Sequence, residues 1–122
     1  MKKSASLILV LPLALAFVGS AFAVELWTPP LRSNGDVLGC TVLNLGPGSV
    51  QVNAKLIDGG VVKAEGTLTI SPGVAQEVTY TSSDVYAATC KFTFNGSKKK
   101  VRGFATIVDS GGSTTRLIVE AR

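Results

Sequence analysis

The chain has 122 residues, two of them cysteine and none histidine, with 12 lysines and arginines against 8 aspartates and glutamates. Without histidine there is no usual general base, no Ser-His-Asp or Cys-His arrangement and no imidazole metal ligand. The length suits one domain with a thin core, for which a crosslink is a useful supplement.

The first element reads as an export signal. Lys2 and Lys3 form a positive n-region and residues 7–18 are almost wholly apolar, with Pro12 as the one irregularity. Gly19-Ser20 breaks the run, and Ala21-Phe22-Ala23 is an A-x-A cleavage site whose small side chains fit a signal peptidase. The rival reading, a membrane anchor, needs roughly 20 consecutive apolar residues and no cleavage motif. No cysteine near the site calls for a lipid anchor, and no twin-arginine pair is present, so the general secretory route is expected. The expected organisation is therefore a cleavable signal peptide at 1–23 and one domain at 24–122, secreted or periplasmic in a bacterium, with no membrane span once the signal is removed. Removing Lys2 and Lys3 leaves ten basic against eight acidic side chains, a net charge of +2.

In an oxidising compartment Cys40 and Cys90 are expected to form a disulfide. Closing a loop of this length stabilises by about 4 kcal/mol on the chain-entropy model. A redox role favours C-x-x-C, which is absent.

Beyond the signal, period-two alternation is interrupted by turn residues at short intervals, the mark of an all-β chain. A first strand over 24–28 stops at Pro29-Pro30, which cannot continue a ladder. After the turn at Asn34-Gly35-Asp36, a strand over 37–44 puts Leu38, Cys40 and Val42 on one face. Gly46-Pro47-Gly48 turns the chain into the clearest alternation, with Val50, Val52, Ala54 and Leu56 inward, up to Asp58-Gly59-Gly60. Residues 61–70 read as an edge strand or one broken near Gly66, followed by the Ser71-Pro72-Gly73 turn. In the strand over 74–81, Val74, Gln76, Val78 and Tyr80 share a face; in that over 88–94, Cys90, Phe92 and Phe94 do. Asn95-Gly96 is the best hairpin signal, with 99–108 returning from it. A Gly-Ser loop over 109–113 leads to a last strand over 114–121.

Seven or eight short strands without helical periodicity predict an antiparallel β-sandwich whose disulfide ties the sheets through the core. With a cysteine on an early and a late strand, the domain resembles an immunoglobulin-like or fibronectin-like sandwich. It departs from the immunoglobulin pattern in placing Trp27 ahead of the first cysteine and Tyr86 four residues before Cys90. The C-x-V-x-N segment at 40–44, S-P-G at 71–73, C-x-F at 90–92 and Val101-Arg102 resemble small uncharacterised exported bacterial domains. That resemblance implies a fold and brings no activity with it.

The inventory for chemistry is sparse. Thiolate metal sites go with the disulfide, Met1 is the sole methionine, and no glycine-rich run opens a helix to cradle phosphate. The eight carboxylates are scattered, and the loop at 109–113 brings one carboxylate where calcium needs several. No catalytic residue, metal or cofactor is expected. The Asn95-Gly96-Ser97 sequon falls in a turn and carries no weight here. The departure from background is Lys98-Lys99-Lys100-Val101-Arg102. As a strand it would aim Lys98, Lys100 and Arg102 to one side as an anion or partner site, for lipopolysaccharide phosphate, an acidic envelope glycan or an acidic protein. The rival reading is a solvated hairpin whose lysines guard an edge. Nucleic acid is not expected, since no aromatic residues interleave with those lysines. Trp27 reads as a plug at the open end of the sandwich or as a partner anchor. The expected function is a non-catalytic binding or structural module of the envelope or medium. The alternatives are a small carboxylate-dependent hydrolase or hydrolase inhibitor, and a strand-exchanging assembly subunit, for which an unpaired groove or a free N-terminal arm at 24–32 would speak.

Overall fold

The alternation resolves into nine strands in a computed structural model that describes residues 23–33, 36–81, 85–109 and 115–122. Residues 1–22 of the expected signal, with Ala21, the turn residues at 34–35 and 82–84, and most of the Gly-Ser loop lie outside the described residues. In chain order the strands are β1 (Ala23–Trp27), β2 (Leu31–Ser33), β3 (Val37–Asn44), β4 (Val50–Asp58), β5 (Val61–Ile70), β6 (Ala75–Thr81), β7 (Val85–Asn95), β8 (Val101–Val108) and β9 (Thr115–Glu120). The element beyond the expected seven or eight is β2, where pairing with β7 resumes after Pro29 and Pro30. Ala23, the last residue of the expected signal, pairs with Asn95 as the first rung of β1, so cleavage after it leaves the rungs from Val24 to Trp27 in place.

Two antiparallel sheets result. One has the order β1-β7-β4-β5, with β2 also on β7; the other has the order β6-β3-β8-β9. Two connections are hairpins within a sheet. That between β4 and β5 uses Gly59 and Gly60 at φ of 58° and 81°, the backbone of a two-residue type I′ turn, which opposes Asp58 to Val61. The other joins β8 to β9. The links β3 to β4, β5 to β6, β6 to β7 and β7 to β8 each pass from one sheet to the other. β5 is an edge strand, as the sequence indicates, and runs unbroken through Gly66; the register irregularity sits instead between Leu56 and Ile57.

The Asn95-Gly96 hairpin is not formed. β7 has β1 and β2 on one side and β4 on the other, β8 lies between β3 and β9, and the two strands belong to different sheets. Relative to immunoglobulin order, in which the last strand flanks the strand of the second cysteine and the first flanks that of the first, the ends are exchanged. β1 lies beside β7, and β8 beside β3. One side of the sandwich is drawn together where Trp27 and Arg122 exchange both backbone hydrogen bonds at 3.0 Å.

The inward residues of both sheets meet in one core that includes Leu38, Cys40, Val42, Leu56, Cys90 and Phe92. The Cys40–Cys90 disulfide joins β3 to β7 across it, with a Cα–Cα distance of 5.6 Å. Next to it the layers approach closely. A Cβ at Gly103 would stand 2.5 Å from two carbons of the Phe92 ring, so any larger residue at that position of β8 must displace the largest fully buried side chain.

Two outcomes follow from this core. Replacing Cys40 and Cys90 together by alanine lowers stability by about 4 kcal/mol and Tm by on the order of 20 °C, read by thermal melts of oxidised wild type and variant; an unchanged melt would contradict a stabilising crosslink. Gly103→Val costs about 1–3 kcal/mol. Adding Phe92→Leu returns part of that cost, giving a coupling of at least about 0.5 kcal/mol in a double-mutant cycle.

Candidate functional site

The turns 45–49, 71–74 and 96–100 lie at one end of the sandwich, because β3 and β7 end there while β4, β6 and β8 begin there. Their backbones are fixed by a few polar groups. Asn44 is buried at the end of β3, and its Nδ2 donates to the carbonyls of Gly48 (2.8 Å) and Ile70 (2.9 Å). Its Oδ1 accepts from the Gly46 N–H (2.9 Å), and its backbone bonds with Val74 and Gly73. One side chain thus shapes the β3–β4 turn and ties it to the end of β5.

The link from β7 to β8 is a tight turn. The Lys100 N–H donates to the Ser97 carbonyl at 3.0 Å, and the Ser97 hydroxyl accepts from the Lys99 N–H at 3.2 Å. This is the hydroxyl-capped turn that serine favours. Lys98 and Lys99 occupy its two corners, and the Lys100 carbonyl accepts from the Leu45 N–H at 2.7 Å, fastening it to the neighbouring turn. The strand begins only at Val101, so Lys98, Lys100 and Arg102 do not form the expected stripe along one strand face.

Two depressions flank this turn. The first, of about 390 Å³, is rimmed by Lys98, Lys99, Arg102 and Arg122, over a floor containing the buried Leu26, Val101 and Ala121. Glu120 is the one side-chain carboxylate lining it and pairs with Arg102 at 3.4 Å. The second, of about 240 Å³, lies between the 45–49 and 96–100 turns and holds Lys100 beside the exposed Ser49, Asn95 and Ser97. Lys98, Lys99, Lys100 and Arg122 have no carboxylate within ion-pair distance among the described residues. Of the residues proposed from sequence, Lys98 and Arg102 thus come together while Lys100 faces the adjoining depression. Lys99 and Arg122 were not singled out. Arg122 reaches the cleft through its backbone pairing with Trp27, a contact between residues far apart in sequence that leaves no local signal.

Trp27 does not plug the sandwich. It is 42% exposed on the outer face of the first sheet, where Nε1 donates to Glu25 at 3.2 Å and the Lys91 ammonium lies 5.1 Å from the ring centroid. The inward residue at that end of β1 is its neighbour Leu26. The arm at 24–32 considered for strand exchange is occupied in its own sheet, since Val24 to Trp27 pair with β7. Among the described residues, no helix is long and apolar enough to cross a membrane, and no three metal-ligating side chains cluster. No protein-family model matches the chain, and neither a curated protein nor a solved structure matches it significantly.

Asn44→Ala removes three side-chain hydrogen bonds and leaves buried partners unpaired, a loss of about 2–3 kcal/mol. Asn44→Asp keeps the bond to Gly46 but turns a buried carboxylate oxygen toward the two carbonyls that Nδ2 served, so denaturant melts at neutral pH should place both variants well below wild type, the aspartate no more stable than the alanine.

Proposed function

We propose that the chain is an exported, non-catalytic binding module of the bacterial envelope or medium, and that it takes an anionic partner at the first depression. The observation that carries this reading is the convergence of Lys98, Lys99, Arg102 and Arg122 on one concave surface lined by a single side-chain carboxylate. Three of these cations have no counterion among the described residues, so their charge is available to a ligand at little desolvation cost. The Cys40–Cys90 disulfide suits an oxidising compartment and so supports export. Lipopolysaccharide phosphate and acidic envelope glycans are the anions such a compartment offers.

The test is binding to immobilised lipopolysaccharide and to an acidic glycan across a series of salt concentrations. Lys98→Glu with Arg102→Glu should weaken binding by at least about tenfold and flatten its salt dependence. Reversing Lys55 and Lys91, which sit on the outer face of the first sheet in pairs with Glu65 and Glu25, should change it little. Equal effects from the two double variants would show a response to net charge alone and remove the cleft from the account.

A further inference from the structure

The Ser97–Lys100 turn divides its cations between two adjoining depressions that share Val101 as a common wall. Lys98 and Lys99 stand on the side of Arg102 and Arg122, and Lys100 on the other. A compact anion such as inorganic phosphate seats in one depression and leaves the other unused. An extended ligand with charge at intervals engages both and crosses the turn between them.

The two sides also differ in chemistry. The first is dominated by cations, whereas the second presents one cation together with the exposed amide of Asn95 and hydroxyls of Ser49 and Ser97. Carboxylates answer the first set, and sugar hydroxyls, which donate and accept hydrogen bonds, answer the second. Neither depression offers a ring for base stacking: the one aromatic residue lining them, Phe94, is 3% exposed. We infer that the partner of this cleft is an acidic polysaccharide laid across the Ser97–Lys100 turn, with acid groups among Lys98, Lys99, Arg102 and Arg122 and hydroxyls against Asn95, Ser49 and Ser97. This inference rests on the anion-binding reading above and adds the polymeric, saccharide nature of the ligand.

The experiment compares calorimetric binding of polygalacturonate, galacturonate monomer, neutral dextran and single-stranded DNA to the disulfide-intact protein. It includes Lys98→Glu, Lys100→Glu and Asn95→Ala, each checked for an unaltered melt; if any melt is lowered, Lys98→Gln and Lys100→Gln replace the reversals. The polymer, counted per binding segment, should bind about 100-fold more tightly than the monomer. Substitutions on either side of the turn should each weaken it several-fold, and neutral dextran should not bind. Monomer binding as tightly as polymer, or sensitivity to Lys98→Glu without sensitivity to Lys100→Glu, would overturn the extended ligand and leave the anion site standing. DNA bound more tightly than polygalacturonate would overturn the saccharide class. No binding of any anion would remove both readings together.

Discussion

Cys40 and Cys90 join an interior strand of each sheet, β3 in one and β7 in the other. The bond fixes the gap between layers at its centre, and the Phe92 ring lying against Gly103 fills that gap from the side. Each other strand is then placed relative to this pair. β1, β2 and β4 hydrogen-bond to β7, β6 and β8 hydrogen-bond to β3, and β5 and β9 extend the sheets outward. Because both sides of β7 are taken by other strands and β8 pairs with β3 in the opposite sheet, the segment between β7 and β8 crosses the end of the sandwich. The lysines of 98–100 are therefore presented on a bridge between layers, where two depressions open beside them.

Strand positions were largely legible because burial in a two-layer sandwich imposes a period of two, and the inward sets at Leu38-Cys40-Val42, Val52-Ala54-Leu56 and Cys90-Phe92-Phe94 are all buried, with Gly39 the one buried residue between them in β3. Bounds agree for 37–44 and 61–70. Partner choice was not legible. Asn95-Gly96 has the local chemistry of a hairpin, but a local preference worth a few tenths of a kcal/mol to about 1 kcal/mol yields when both neighbouring places are taken by longer ladders. The five residues between Asn95 and Val101 were the available clue, since a two-residue hairpin loop leaves no such gap. Trp27 was misjudged for a related reason. Its strand carries a single alternation, Val24 and Leu26 against Glu25 and Trp27, and size suggested burying the tryptophan where parity buries the leucine.

The net charge of the domain was a poor guide to its surface. A value of +2 for residues 24–122 argues against a functional basic patch only if the charges are evenly mixed. They are not. On the outer face of the first sheet, cross-strand pairing sets Lys55 against Glu65 and Lys91 against Glu25, which commits those carboxylates to lysines outside the 98–102 run. Among the described residues, Glu120 is the one side-chain carboxylate lining the first depression, leaving a local excess that the sum conceals. Neither the cross-strand register that forms these pairs nor the backbone seam that brings Arg122 to the cleft can be read before the topology is known.

The character of the cations also bears on what they can hold. Each lysine loses on the order of 1 kcal/mol of rotamer freedom when it settles on a ligand, and a single exposed contact returns at most about as much. One lysine and one anion thus give almost nothing. The backbone carrying these side chains, however, is already ordered by Ser97, by the Lys100–Leu45 bond and by the Asn44 network, so no loop entropy is added to that cost. A rigid turn with several flexible cations on two sides gains affinity through the number of contacts made at once. Under the proposed anion-binding role, that arrangement favours a long, repetitively charged partner over a small one, since affinity would come from addition along a surface.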